Sequence, residues 1–189
     1  MGHLQPDPAP ALMRAVLHFW FEELRPADWW RKDAALDARI RDHFGALHAQ
    51  AAAGECGTWR SSPEGRLAEV LVLDQFSRNI HRDSPLAFAQ DGMALVLAQE
   101  AVAGGHDRRL PPPQRAFLYM PYMHSESRRV HEQALQLFGD PELAFNLDFE
   151  RRHKAIVDRF GRYPHRNRIL GRVSSAEELA FLAEPGSSF

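Results

Sequence analysis

Signals that begin and end helices recur along this chain at short intervals, and they constrain its fold more than any other feature. Three of them place a capping side chain directly before a proline, whose missing N–H is harmless at the first helical position: Ser62-Pro63, Ser84-Pro85 and Asp140-Pro141. Glycines indicate three stops, at Gly104-Gly105, Gly139 and Gly161, and residues 174–178 offer a capping box. No alternating β-branched run competes with them. The sequence therefore predicts an all-α protein of about eight helices.

The spacing of the helices predicts how they are arranged. Short connections favour antiparallel helix pairs. Alternate helix starts lie near residues 34 and 85, 63 and 112, and 85 and 126, so any repeat is degenerate. A chain of 189 residues that is 44% hydrophobic is long enough for one well-buried core. We therefore expect a single helical domain over residues 1–189, with residues 1–10 as a flexible tail.

Composition also limits the environment of the protein. No stretch approaches the roughly 18 uncharged apolar residues that a membrane span needs, and no signal for export precedes the first helix. The single cysteine, Cys56, excludes an intramolecular disulfide and fits a reducing compartment. These features predict a cytoplasmic protein without a membrane partner. They do not indicate an oligomeric state.

Positive charge is concentrated near the end of the chain. Residues 151–172 contain eight Lys or Arg and one acid, Asp158, although the whole chain has a net charge of −2. A nucleic-acid-binding protein usually spreads positive charge over a whole face, so nucleic acid is not an expected partner. A local cluster suits a small anionic ligand, a peptide carboxylate or the protein's own acidic side chains.

Polar side chains appear in the second half of an otherwise apolar helix, in "LDQFSRNIHR" (73–82). At 100° per residue, one arc of this helix carries Asp74, Gln75, Arg78 and Asn79. Asp74 and Arg78 are four residues apart, which is the spacing of an ion pair within a helix. The arc is either such a structural pair or the lining of a polar pocket.

A proline interrupts the next stretch, "RAFLYMPYMHSE" (115–126). Pro121 cannot donate to the carbonyl oxygen of Phe117, so we expect the helix to kink or end there. Tyr119 lies before the break, and His124 and Glu126 follow it. These side chains either pack in the core or, since His and Glu exchange protons near neutral pH, perform acid–base chemistry.

The arginine-rich stretch "RFGRYPHRNRILGR" (159–172) is predicted to be an ordered loop, because Gly161 ends a helix and Pro164 prevents its continuation. Its N–H donors and guanidinium groups suit a carboxylate or a phosphate. Equally, Asp74, Glu126 or Asp158 is available as the anion, which would make the loop an internal strap.

Other chemistries have weaker signals. Glu150 and His153 have the spacing of one half of a di-metal site, but the chain has no second Glu-x-x-His. Glycine-rich phosphate loops, nucleophile elbows and His-Glu-x-x-His motifs are missing from the sequence. We therefore predict neither a metal nor a cofactor. His131, beside an apolar stripe, is interpreted as a core histidine, and Trp29-Trp30 as the cover of a helix junction or an anchor for a partner.

From about residue 14 to 182 the chain resembles the bacterial domain-of-unknown-function 924 family. The resemblance rests on "FWF" (19–21) and on the three stretches quoted above. It implies a tetratricopeptide-like α-α superhelix and no established activity. It also implies that twelve residues belong to shared motif positions: Asp74, Gln75, Arg78, Asn79, His124, Ser125, Glu126, Arg159, Arg162, His165, Arg166 and Asn167. Proline is common in this family at the place of Ser77, so we expect a straighter helix here.

Three hypotheses follow for the function. The first is a binding module whose polar pocket takes a small anionic or carboxylate-bearing ligand. Its predicted ligand-binding residues are Asp74, Gln75, Arg78, Asn79, Tyr119, Arg159, Arg162, Arg166 and Asn167. The second is a small enzyme acting on an anionic metabolite, in which the candidate proton-transfer groups are His124, Glu126 and His165. The third is a buried ion-pair network with a purely structural role.

Overall fold

Helices account for all the regular structure of residues 9–187, the part of the chain that this computed structural model describes. They are α1 Ala9–His18, α2 Ala34–Ala52, α3 Pro63–Leu71, α4 Ser77–Ile80, α5 Asp91–Ala103, α6 Pro112–His124, α7 Arg128–Leu137, α8 Ala144–Phe160 and α9 Ala176–Leu182. Two π turns extend them: Phe19–Glu23 after α1 and Val72–Phe76 between α3 and α4. Since α3, its π turn and α4 form one rod, the described residues contain eight helical rods. The all-α prediction is confirmed, and the superhelical arrangement stays a prediction.

The boundary signals act largely as expected. Ser62 caps α3 by accepting from the backbone N–H of Gly65 over 3.0 Å, and Ser175 forms a capping box with Glu178. Gly161 ends α8 in the left-handed conformation, with φ of 71°. Ser84-Pro85 and Asp140-Pro141 instead begin short 3-10 turns, Pro85–Phe88 and Pro141–Leu143. The α-helices α5 and α8 therefore begin a few residues later than these pairs indicated.

The rod formed by α3, the π turn and α4 lies at the centre of the fold. Its first part contacts α1, α5 and α6, and its second part contacts α2. Every side chain from Leu67 to Phe76 is buried, including the carboxylates of Glu69 and Asp74. At Ser77 the rod continues into α4, and the Ser77 hydroxyl donates to the Leu73 carbonyl oxygen over 2.5 Å. The packing places a carboxylate inside the core, where it needs partners.

Pro121 does not end its helix. The α-helix α6 continues to His124, and its last eight residues before His124 are all buried. Proline lacks the backbone donor, but its ring holds φ near the helical value. The surrounding packing is therefore sufficient to keep the chain helical, and His124 is the last residue of α6 rather than part of a loop.

The C-terminal part of the chain packs on a small apolar cluster of its own. Ile156 and Val157 of α8 form a buried cluster with Tyr163, and the partly buried Phe160 and Phe181 pack against it. The larger core includes side chains from α1 to the turn before α8. The segment after α8 thus has few apolar contacts, and polar interactions contribute much of its attachment.

Three further expectations concern the surface. Of residues 1–10, expected to form a tail, 1–8 lie outside the described residues, whereas Ala9 and Pro10 are the first residues of α1. Trp29 is half-buried and donates from Nε1 to the Trp20 carbonyl oxygen over 2.9 Å. Trp30 is 54% exposed and stacks on Phe117. None of the helices described here has the length and apolar character that crossing a bilayer requires.

Candidate functional site

The three motif stretches contact one another at the C-terminal end of α6. His124 Nδ1 lies 2.7 Å from Oδ1 of Asp74 in the π turn. Arg166, in the turn Pro164–Arg166 after α8, donates from Nη2 to the His124 carbonyl oxygen over 3.0 Å. Arg78, in α4, lies 3.2 Å from Asp74 Oδ1 and also donates to the Asp74 backbone oxygen. Helix packing thus brings together residues that are far apart along the chain.

A fifth residue, Asp91, completes this group. Arg78 donates to both of its carboxylate oxygens, at 2.9 Å and 3.1 Å, and Arg166 Nη1 donates to Oδ2 over 3.2 Å. Asp91 is the first residue of α5, a position where an acid is ordinary because it faces the positive end of the helix dipole. The sequence offered no signal that distinguished it from other helix-starting acids. We call Asp74, Arg78, Asp91, His124 and Arg166 the Asp74 cluster.

Asp74 is ionised in this environment. Gln75 donates from Nε2 to Oδ2 over 2.6 Å, so both carboxylate oxygens have partners. Burial alone would raise the pKa of Asp74, but Arg78 and His124 hold it well below its usual range. The carboxylate is therefore a permanent hydrogen-bond acceptor for His124.

His124 has one nitrogen committed and one available. Because Asp74 only accepts, Nδ1 carries the hydrogen of the neutral ring, and Nε2 has the lone pair. The side-chain hydrogen bond that His124 makes to the described residues is through Nδ1 and not through Nε2, and the side chain is 16% exposed. Burial and the Arg78 charge lower the pKa of His124 below its ordinary value, although Asp74 opposes them. This arrangement, a histidine oriented by a carboxylate, is typical of a proton-transfer group.

Arg166 is held between two aromatic rings. Its guanidinium carbon lies 4.6 Å from the ring centres of both Phe88 and Tyr163, and the residue is only 6% exposed. Its Nε is buried and lacks a partner among residues 9–187. Burial, together with the nearby Arg78 charge, lowers the pKa of the Arg166 guanidinium, which nevertheless stays charged. A buried cation with an unused donor is costly, so its presence calls for an explanation.

A cleft of about 330 Å³ opens beside this group. At its polar end it is lined by Asp91, His124, Glu126 and Arg166, together with Ser125. The remainder of the lining is apolar and consists of Pro85, Phe88, Ala89, Gly92, Leu95, Pro121 and Leu170. The cleft is large enough for a small molecule with a polar head and a short apolar body.

Most of the other arginines in residues 159–172 pair with acids of the protein. Arg172 donates to both oxygens of Glu126, at 2.7 Å and 2.9 Å, and Glu126 also accepts from the backbone N–H of Tyr163. Arg162 forms a two-point pair with Glu178 of α9, at 2.6 Å and 2.8 Å. Arg159 is exposed and pairs with Glu177. We call these three pairs the strap, because they attach the loop and α9 to the rest of the fold.

The strap determines where several predicted residues lie. Arg159 and Arg162 face α9 rather than the cleft, and Glu126 lines the cleft but is neutralised by Arg172. Arg172 was not among the predicted site residues, although it belongs to the same arginine-rich stretch. Arg168, in the same stretch, is exposed. The charge of this loop therefore serves two places, the Asp74 cluster and the strap.

The remaining predicted residues have other partners. Asn79 donates to Asp37 of α2 over 2.8 Å; it follows Arg78 by about 100° around α4, which turns it away from the Asp74 cluster and towards α2. Tyr119 is buried and donates to Asp107 over 2.6 Å. Asn167 is buried and donates to Ser174.

His165 lies against Tyr163, with ring centres 5.6 Å apart. Burial, followed by the Arg166 charge, lowers its pKa to about 4.

A second histidine–carboxylate pair lies close to the first. His131 of α7 and Glu150 of α8 are fully buried, and Nδ1 lies 2.7 Å from Oε1. His131 Nε2 donates to the Ser125 carbonyl oxygen over 2.8 Å, since a carbonyl only accepts. Glu150 Oε2 is buried and unpaired within residues 9–187, and burial raises the pKa of Glu150. His153 Nδ1 donates to the Phe149 carbonyl oxygen over 2.8 Å, and residues 9–187 contain no group of three or more His, Cys, Asp or Glu side chains arranged to hold a metal ion.

Fold and site together define an all-α protein with a polar cluster at the end of a central helix. Comparison with protein families shows that residues 16–186 match the family described as "Bacterial protein of unknown function (DUF924)". The chain therefore belongs to this family, as its resemblance implied. None of the curated proteins matches it.

A solved structure, the protein of unknown function ATU0120 from Agrobacterium tumefaciens, is similar to this chain over most of its length. The two share 38% sequence identity and a TM-score of 0.89. The similarity covers 94% of this chain and 99% of that one. It supports the helical fold and leaves the function to be argued from the site.

Proposed function

We propose that the cleft beside the Asp74 cluster binds a small ligand with an anionic group. One observation carries the proposal: Arg166, nine-tenths buried and with an unpaired Nε, lines the same cleft as His124, whose ring is oriented by Asp74. A guanidinium donates to carboxylates and phosphates, and His124 does so from Nε2 when the ring is protonated. Burial strengthens such hydrogen bonds, because little water competes for them.

The other arginines support a narrower site than the sequence indicated. Arg159 and Arg162 are committed to Glu177 and Glu178, so they do not contribute to binding. The proposed binding residues are therefore Arg166 and His124, and Arg78 and Asp91 position them. This is the binding-module hypothesis with a smaller set of residues.

A thermal-shift screen tests the proposal. The wild type, Arg166→Met and Arg159→Met are each heated with a panel of carboxylated and phosphorylated metabolites. Methionine keeps volume and polarisable contact between the two rings but removes the charge. A ligand at a hundredfold excess over Kd is expected to raise the Tm of the wild type by about 5–10 °C.

Arg159→Met is the matched control, because Arg159 lies in the same segment but outside the cleft. It should respond to the ligand as the wild type does, whereas Arg166→Met should not. Equal shifts in all three proteins would place the ligand elsewhere. If nothing in the panel shifts the wild type, the cluster has the purely structural role and the proposal fails.

The Asp74–His124 contact favours a second candidate function, an enzyme that uses His124 as a general base. The carboxylate orients the ring and stabilises the imidazolium that forms when Nε2 takes a proton. Turnover of any ligand found in the screen would support it. We expect His124→Asn, which cannot exchange a proton, to abolish turnover even at ligand concentrations that saturate its weakened site; unchanged turnover would exclude this role.

A further inference from the structure

The charges of the Asp74 cluster balance when His124 is neutral. Asp74 and Asp91 contribute two negative charges, and Arg78 and Arg166 contribute two positive charges. Glu126 at the edge of the cleft is matched by Arg172. An anion that entered the cleft alone would leave a net negative charge in a largely buried site, which is unfavourable.

His124 is the group that restores the balance. Nδ1 already donates to Asp74, so an added proton goes to Nε2, which has no partner among the described residues. The imidazolium then donates from Nε2 to the bound anion and from Nδ1 to Asp74. Protonation therefore gains a hydrogen bond only when an anion is present.

We infer that the cleft takes up a small monocarboxylate together with one proton, which His124 accepts. This inference rests on the proposed function. Protonated His124 adds one positive charge to the cluster, and one negative charge on the ligand neutralises it. A dianion such as a phosphate monoester would leave one negative charge unmatched. The apolar walls, which include Pro85, Leu95 and Leu170, suit a short hydrocarbon body rather than a second charged group.

Other titratable groups around His124 do not replace it. The charged and titratable groups that approach it from the packed elements are Asp74, Arg78, Asp91, Arg166, His153 and His165. Burial lowers the pKa of His153 to about 3 and that of His165 to about 4, so both are neutral near pH 7. His124, whose pKa is also lowered by burial and by Arg78, has a carboxylate partner that stabilises its charged form.

Proton linkage sets the expected pH dependence. Without ligand, His124 is neutral near pH 7, and the bound anion raises its pKa. Uptake of one proton on binding makes the Kd rise about tenfold for each pH unit above neutrality. Binding is thus tighter at lower pH, until His124 is already protonated in the free protein.

Calorimetric titration with sodium butyrate, in Tris and in PIPES at pH 7, measures this linkage. The two buffers differ in ionisation enthalpy, so the difference in observed heat counts the protons exchanged. We expect about one proton per butyrate for the wild type and none for His124→Asn, whose amide still donates to Asp74. Acetate and inorganic phosphate are titrated alongside, and we expect butyrate to bind more tightly than either.

Each outcome separates the inference from the proposed function. Butyrate binding without proton uptake, or tighter binding of phosphate than of butyrate, overturns the inference and leaves the anion site standing. The same conclusion follows if a phosphorylated ligand from the thermal screen binds and no monocarboxylate does. If no anion binds in either experiment, both fail. The wild type in two buffers decides the question even if His124→Asn does not fold.

Discussion

Two histidine–carboxylate pairs involve His124, at the end of α6, and His131, in α7, and the contact itself is the same in both. His124 and Asp74 are 2.7 Å apart, as are His131 and Glu150. Each histidine presents Nδ1 to the carboxylate. The pairs differ in what the other ring nitrogen meets: Nε2 of His131 donates to the Ser125 carbonyl oxygen, whereas Nε2 of His124 has no partner in the described chain.

The surroundings of the two carboxylates also differ. Asp74 faces Arg78 and is ionised, whereas Glu150 has one unpaired oxygen and a pKa that burial raises. One proton lies between His131 and Glu150, so that pair is neutral as a unit. A short histidine–carboxylate distance therefore does not by itself define a functional site. An available ring nitrogen and nearby charge distinguish the candidate site from a structural pair.

The largest effect is expected from His131→Ala. The change removes the partner of the fully buried Glu150 and leaves the Ser125 carbonyl oxygen without its donor. We expect the free energy of unfolding to fall by about 3–5 kcal/mol. Urea unfolding at pH 7 measures it.

His124→Ala is the matched change in the other pair. Asp74 retains Arg78 and Gln75, and water can reach the vacated place, so the expected loss is only about 1–2 kcal/mol. Equal losses of unfolding free energy in the two variants would show that access of water to the histidine does not distinguish the two pairs.

Replacing each carboxylate by its amide sharpens the comparison. Asp74→Asn removes a charge that faces the buried Arg78, and we expect a loss of about 2–4 kcal/mol. Glu150→Gln keeps a neutral pair, because the new amide donates to Nδ1 of His131, and should cost less than about 1 kcal/mol. Chemical denaturation of the two variants at pH 7 gives both values. A larger loss for Glu150→Gln would mean that the proton lies on His131 and that the buried pair is ionic.

The smallest effects are expected from the strap. Its Arg172–Glu126 pair attaches the loop after α8 to the segment between His124 and His131. Arg172→Ala leaves Glu126 with only the Tyr163 backbone donor, so we expect a loss of about 1–2 kcal/mol. Arg159→Ala, the control, removes an exposed ion pair and should change stability by less than about 0.5 kcal/mol. Thermal unfolding of both variants is the measurement. If the two variants lose the same stability, the Arg172–Glu126 pair does not stabilise the segment between His124 and His131.

Local signals explain how much of this fold was predictable. The caps at Ser62 and Ser175 and the stop at Gly161 depend on residues within four positions of each other, so they can be read directly from the sequence. The Asp74–Arg78 pair is also readable from the sequence, because its two residues are four positions apart. The π turn at Val72–Phe76 could not be read in this way, and neither could the contact of Asn79 with Asp37 of α2, 42 residues away in the chain.

The sequence by itself determined the helical class, the buried central rod and the stretches that carry polar chemistry, because helix periodicity and capping are short-range. Tertiary structure alone decided which acid each arginine meets: Asp91 for Arg166, Glu178 for Arg162 and Glu126 for Arg172. Those partners are 75, 16 and 46 residues apart in the chain. Such pairings depend on how whole helices pack, and no local pattern encodes the distance between two rods.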